Sequence, residues 1–132
     1  MTEFIWPVRV YYEDTDNGGV VYYANYLKFM ERARTEWLRA KGYEQDQLIA
    51  EQGLIFAVRS AQLDFLRPAK FNDSLQVSAS VVSHKGASIE FQQEVRRDKQ
   101  VLCKGEVKIV CLCNDSLTPR RMPKAMIEEL IK

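Results

Sequence analysis

Three acidic side chains, Glu13, Asp14 and Asp16, lie just ahead of Gly18 and Gly19. An apolar pattern with helical spacing begins a few residues later, so the acids precede the N-terminus of a helix. Unpaired backbone N–H groups and the helix dipole favour negative charge at that position. A reaction that builds an oxyanion next to a carboxylate nucleophile or base needs these two elements, an acid and nearby N–H donors. The segment is therefore a candidate active site.

Two other interpretations fit the same residues. Asp, Asn and Gly are common turn formers, so an exposed acidic turn without a chemical role accounts for the composition. Asp14 and Asp16 also carry hard oxygen ligands for a divalent metal, although no EF-hand spacing follows them. Under the catalytic interpretation, the glycines at 18 and 19 let a substrate approach Asp16 closely, and Gly19 contacts it. Residue types alone leave all three interpretations open.

Other reactive side chains give weaker signals. The single histidine, His84, falls in an expected hairpin turn, which favours a surface position over a catalytic one. Cys111 and Cys113 fall on one apolar face of an expected strand without a matching pair elsewhere, so they are predicted to be core residues rather than metal ligands.

Basic residues collect in three places. They are Arg67 and Lys70, Lys85, and Arg120 with Arg121. Each is explained singly as a solvated loop end. Together, Lys85, Arg120 and Arg67 are candidates to hold the phosphates of a ligand such as coenzyme A, because phosphate binding favours Arg and Lys.

Hydrophobic periodicity predicts the elements that must position these residues. The predicted order is β-α-β-β-β-β, with strands at 5–12, 54–66, 75–83, 88–97 and 101–113, a long helix at 23–41, a short one at 44–52, and a terminal helix after Pro123. The strands are apolar on one face, and the long helix is apolar over a wide arc. A sheet that curls around the helix buries both. Its open edge strands favour pairing with a second copy.

Composition limits the function classes. A net charge of +1 gives no general attraction to nucleic acid, and 46% hydrophobic with 28% charged residues is typical of a globular protein. The N-terminus lacks the pattern of a signal peptide, and no apolar run is long enough to span a bilayer. Three cysteines suggest reduced thiols. We expect one cytoplasmic domain, residues 1–132.

The segment 8–23, continued by Tyr26 and 31–34, resembles the hotdog-fold acyl-CoA thioesterases of the 4-hydroxybenzoyl-CoA type. Within that family it is most similar to the Tol-Pal-associated branch. The segments 63–69 and 85–88 continue the match more loosely. A long match without gaps is specific, unlike a lone short motif.

The resemblance implies an α+β hotdog domain, a curved five-stranded antiparallel sheet around one central helix, assembled as homodimers or homotetramers. It implies hydrolysis of acyl-CoA without a metal or cofactor. Asp16 matches the family's essential carboxylate, as nucleophile or general base. Tyr23 matches the backbone N–H that polarises the thioester carbonyl, and Tyr12 matches an active-site tyrosine. Acyl carrier protein is an alternative carrier of the acyl group.

One residue departs from the family pattern. Tol-Pal-associated members usually have histidine where this chain has Tyr23, which preserves a backbone role but removes an imidazole. Phe56, Phe65 and Trp37 fit either an acyl channel or the core. A different function class also fits, namely a non-catalytic hotdog module that binds acyl groups or acyl carrier protein in a lipid-enzyme complex.

Overall fold

The computed structural model describes residues 3–132, so Met1 and Thr2 lie outside the described part. The elements are β1 (Phe4–Arg9), α1 (Asn25–Ala40), α2 (Gln45–Gln52), β2 (Leu54–Phe65), β3 (Ser74–Lys85), β4 (Ser88–Arg97), β5 (Gln100–Cys113) and α3 (Lys124–Leu130), with a 3-10 turn at Tyr12–Asp14. Within this part, no helix is long and apolar enough to cross a membrane.

The five strands form one antiparallel sheet in the order β1-β3-β4-β5-β2. Two-residue turns join β3 to β4 and β4 to β5, since Lys85 pairs with Ser88 and Arg97 with Gln100. Gly86 and Asp98 open these turns at φ values of 58° and 56°, the left-handed conformation that such hairpins use. The long strand β2 is left at one edge of the sheet.

The helix α1 lies against the apolar face of the sheet. Its buried apolar side chains follow the predicted spacing: Tyr26, Phe29, Met30, Ala33, Trp37 and Leu38. Leu27, which shares the apolar pattern, is instead 44% exposed. The first half of α1 packs with β1 and the start of β3, and the second half packs with α2 and α3. Burial of each large side chain contributes about 1.5–3 kcal/mol, so this interface orients the helix.

Two predictions about the strands are wrong in detail. The first strand ends at Arg9 rather than at residue 12, because the chain turns after Val10 and Tyr12 enters the 3-10 turn. The carboxylate of Asp14 stabilises that turn by accepting the N–H of Tyr11 at 2.8 Å. His84 belongs to β3, opposite Ile89, instead of lying in the turn, although it is exposed as expected.

A buried amide ties α1 to the sheet. The side chain of Gln93 is fully buried, and its Nε2 donates to the carbonyls of Met30 in α1 and Ser78 in β3 at 3.0 and 3.1 Å. Its Oε1 accepts a hydrogen bond from the Arg34 guanidinium at 2.9 Å. Burial lowers the pKa of Arg34, which remains a cation that needs this acceptor. Gln93 is therefore a polar contact that an apolar residue cannot replace.

We expect Gln93→Met to lower the free energy of unfolding by about 2–3 kcal/mol, because the Arg34 guanidinium loses its acceptor and the carbonyls of Met30 and Ser78 each lose a donor. Urea unfolding at one fixed protein concentration measures the change. Gln92→Met is the matched control, since Gln92 is exposed on the opposite face and its loss should cost under about 0.5 kcal/mol. Equal costs for the two variants would contradict the role of Gln93.

Candidate active site

The acidic segment forms a closed loop ahead of α1. Thr15 bridges Val21, and the N–H of Asp16 donates to the Val20 carbonyl at 2.9 Å. At the tip, the carbonyl of Asp16 accepts the N–H of Gly19 at 3.1 Å, and its carboxylate accepts the N–H of Gly18 at 2.8 Å. Asp16 therefore starts a turn with an ordinary Asx contact, and its exposed carboxylate keeps further acceptor capacity.

Glycine is needed at the end of this turn. Gly19 has a φ of 78°, a left-handed conformation that costs other residues more. A Cβ built on Gly19 would meet no atom within 4 Å, so that side of the loop is open. The backbone conformation explains the glycine, and the open side leaves room for the predicted substrate contact.

Asp14 has a structural position that the sequence reasoning missed. It is 8% exposed, and its carboxylate is held by the Tyr11 N–H, as noted above. Its carbonyl accepts the Tyr22 N–H at 3.0 Å and the Asn25 side-chain amide at 2.8 Å. No group of three or more His, Cys, Asp or Glu residues that could hold a metal occurs within residues 3–132. The sequence signal for this structural role was the spacing of three residues between Tyr11 and Asp14, since an acid three residues after the start of a turn commonly accepts the N–H of its first residue.

Tyr23 lies between the loop and the helix. The first residue of α1 is Asn25, so Tyr23 precedes the helix instead of starting it. The N–H groups of Tyr22 and Asn25 are both bonded, to the carbonyls of Asp14 and Tyr22. By contrast, the N–H of Tyr23 donates to no acceptor within the described part of the chain. This free donor lies where the positive end of the α1 dipole favours an anion.

A cleft opens beside Tyr23. Its volume is about 250 Å³, and it is lined by Val21, Tyr23, Tyr26, Phe65, Leu66, Arg67 and Pro68. The Phe65 ring lies edge-on to Tyr23 and Tyr26, with centroid separations of 6.0 and 5.5 Å. The fold therefore brings Arg67 and Phe65, from the end of β2, next to the N-terminal end of α1.

The closed acidic loop at 14–22 is called the site loop below. A second loop, residues 69–73, supports it. Ala69 accepts the N–H of Val21 at 2.8 Å through its carbonyl and donates its own N–H to the Tyr26 hydroxyl at 3.0 Å. Burial raises the pKa of the Tyr26 phenol, so that hydroxyl stays neutral. Asp73 anchors the far end of this loop, because its carboxylate accepts the Lys70 N–H at 2.8 Å and the Arg97 guanidinium at 2.7 Å.

Three other predicted site residues, Tyr12, Lys85 and Arg120, do not line the cleft beside Tyr23. Tyr12 is 80% exposed and contacts the Phe71 ring edge-on at 6.0 Å. The backbone next to Lys85 and that of Arg120 both bond to Cys111 in β5: the Cys111 N–H donates to the carbonyl of Ala87, and the Cys111 carbonyl accepts the Arg120 N–H. Lys85 and Arg120 lie at the opposite end of the sheet from Asp16, since β3 has 12 residues. At ~3.3 Å per residue the separation along the strand is roughly 35 Å.

The three aromatic residues predicted to line an acyl channel are also divided. Phe65 lines the cleft beside Tyr23, whereas Trp37 and Phe56 line a second cavity of about 150 Å³ between α1, β2 and α3. Trp37 is 6% exposed and packs edge-on against Phe91 at 5.1 Å. Core packing therefore accounts for Trp37.

Comparison with known proteins gives the family. Residues 10–130 match the model of the thioesterase-like superfamily. The chain is 47% identical to the acyl-CoA thioesterase YbgC of Haemophilus influenzae over 92% of this chain and 89% of that protein. It is 43% identical to the acyl-CoA thioester hydrolase YbgC of Escherichia coli O6:H1 over 97% and 96%. A probable thioesterase from Bartonella henselae superposes with a TM-score of 0.87 at 34% identity, over 92% of this chain and 100% of that one.

The chain therefore belongs to the thioesterase-like superfamily, which confirms the hotdog thioesterase fold predicted from the sequence. Within the superfamily, it is similar over nearly its full length to enzymes named for the hydrolysis of acyl-CoA thioesters.

Asp73, which anchors the second loop, should make the free energy of unfolding depend on pH. Burial alone would raise the pKa of the Asp73 carboxyl, but hydrogen bonds from Lys70 and Arg97 lower it by more, so the net pKa is below its ordinary value. Such a carboxylate contributes stability above the unfolded pKa, and the contribution is lost as pH falls through the folded pKa.

Asp73→Asn should lower the free energy of unfolding by about 1 kcal/mol at neutral pH, because the variant loses the charge that pairs with Arg97. The difference from wild type should shrink as the pH falls below about 4, the range where an unfolded aspartate gains its proton. Denaturant unfolding at several pH values measures it. Asp115→Asn, at an exposed turn acid, is the control. A difference that does not change with pH would exclude the charge as its origin.

Proposed function

We propose that the protein hydrolyses acyl-CoA thioesters to the free acid and coenzyme A. The observation that carries the proposal is the pairing, on one closed loop, of the exposed Asp16 carboxylate with the unpaired Tyr23 N–H beside an aromatic cleft. The similarity to enzymes named as acyl-CoA thioesterases supplies the substrate class.

Asp16 has two possible chemical roles in this reaction. As a nucleophile, its carboxylate attacks the thioester carbonyl carbon, the C–S bond breaks to release the coenzyme A thiolate, and water then hydrolyses the mixed anhydride. As a general base, it takes a proton from a water that attacks the same carbon, and that proton passes to the leaving thiolate. The exposed position of the carboxylate at the turn suits either role.

Tyr23 is proposed to act through its backbone. Either route places negative charge on the former carbonyl oxygen, and the free N–H of Tyr23 is the donor that stabilises it, assisted by the α1 dipole. Removing one such donor from an enzyme typically costs a factor of about 10²–10³ in rate. The Tyr23 side chain, packed against Phe65, shapes the cleft instead of transferring a proton.

Asp16→Asn should reduce kcat by at least about a hundredfold, because an amide of equal size is neither a nucleophile nor a base at this position. Release of free thiol from short, long and aromatic acyl-CoAs measures the loss and defines the preferred acyl group. The control is Asp98→Asn, the same exchange in the β4–β5 turn, where Asp98 is also exposed.

Near-normal hydrolysis by Asp16→Asn would remove the catalytic role of this carboxylate. No thiol release by the wild-type protein with any substrate in the panel would instead favour the non-catalytic acyl-binding module.

Coenzyme A binding is proposed to use Arg67, with Lys85 and Arg120 of a second copy. Arg67 lines the cleft next to Tyr23, but Lys85 and Arg120 of the same chain lie at the opposite end of the sheet. The exposed edge strand β2, with Val58 at 53% exposure, favours pairing with another copy of the chain. If the β2 strands of two protomers paired antiparallel, the end of the sheet that carries Lys85 and Arg120 in one protomer would face the site loop of the other. Acyl carrier protein as the carrier and the Tol-Pal association stay predictions from the sequence resemblance.

Arg67→Ala should raise KM for acyl-CoA severalfold with little change for an acyl-pantetheine thioester of the same acyl group, because only the nucleotide phosphates need the cation. Lys85→Ala should do the same if a second copy completes the site. Lys99→Ala, in another exposed turn, is the control. Equal effects on both substrates would exclude phosphate binding. Arg120 is less suitable for this test, since its guanidinium also donates to the Gln52 carbonyl at 2.6 Å.

A further inference from the structure

Asn25 connects the two ends of the site loop. Its side-chain amide donates to the carbonyl of Asp14 at 2.8 Å, and its backbone N–H donates to the carbonyl of Tyr22 at 2.8 Å. The Tyr22 N–H closes the triangle by donating to the same Asp14 carbonyl at 3.0 Å. Asn25 is 8% exposed, so its bond to Asp14 is shielded from water.

This amide does not serve as a helix cap. The residue that precedes α1 is Ala24, which makes no side-chain capping bond. A capping Asn accepts N–H groups of the first turn through its oxygen, whereas Asn25 donates through its nitrogen to a residue outside the helix. Asn is also a weaker helix former than most residues that could occupy a first turn. Loop closure, and not helix stability, explains the residue.

We infer that Asn25 is a positioning residue for hydrolysis, which holds the Asp16 carboxylate in register with the Tyr23 N–H. The inference rests on the proposed function. Asp16 follows Asp14 by two residues, and Tyr23 precedes Asn25 by two. The hydrogen bond from Asn25 to Asp14 therefore limits how far the Asp16 carboxylate and the Tyr23 N–H can move relative to each other. Reactions of this kind are sensitive to misplacement, since a shift of about 1 Å can cost a factor of about 10².

Asn25→Asp is the decisive variant. An ionised carboxylate of the same size has no proton to donate to the Asp14 carbonyl, while an acid in the first turn favours the helix. We expect kcat to fall tenfold to a hundredfold, with KM for acyl-CoA within about threefold of wild type. Asn25→Ser, whose hydroxyl still donates, should retain more kcat than Asn25→Ala.

Hydrogen exchange gives a readout that is independent of catalysis. The Tyr22 amide should exchange at least about tenfold faster in Asn25→Asp, because the carbonyl that it binds loses its second partner. Ser78→Ala is the matched control: Ser78 is 2% exposed, and its hydroxyl accepts the Glu94 N–H at 2.8 Å, far from the loop. That variant should lose stability while kcat and Tyr22 exchange stay at wild-type values.

The outcomes separate the two proposals. An active wild type whose Asn25→Asp variant keeps kcat within twofold would overturn the positioning role alone. A wild type that releases no coenzyme A would overturn the proposed function, whatever the exchange data show. If Asn25→Asp fails to fold, equal kcat values for Asn25→Ser and Asn25→Ala would overturn the positioning role, and a higher value for Asn25→Ser would support it.

Discussion

The packing of α1 on one face of the sheet is the constraint on which the site depends. Met30 and Phe29 are fully buried, and the Gln93 amide joins the helix backbone to β3 and β4. Apolar burial is not directional, whereas the Gln93 hydrogen bonds are, so together they fix both the distance and the rotation of the helix. The first turn of α1 is thereby held beside the end of β2, where the cleft opens.

Around this helix end, polar backbone atoms are satisfied by a small set of contacts. The carbonyl of Asp14 takes two donors, and the loop at 69–73 supplies the acceptor for Val21. These bonds use the N–H groups of Val21 and Tyr22 and leave the Tyr23 N–H free. The free donor is a consequence of the way the loop closes, and together with the positive end of the α1 dipole it makes a candidate site for negative charge.

Much of the fold could be predicted from the sequence. Alternating apolar residues gave the strands at 88–97 and 101–113 to within one residue. The first strand was overextended because Tyr11 and Tyr12 continue its pattern, while the Asp14 carboxylate turns the chain earlier. Contacts between distant segments, such as Gln93 with Met30, left no local signal, since they depend on which surfaces the fold brings together.

For the site, the sequence by itself determined the acid-glycine segment, its place ahead of a helix, and its family, because residue type, spacing and a long motif are local properties. Only the tertiary structure decided where the side chains of that segment lie. It showed that Asp14 faces inward and Asp16 outward, and that Arg67 lies by the cleft while Lys85 and Arg120 lie at the far end. The physical reason is that hydrogen-bond partners and strand direction are set by contacts between segments far apart in the chain.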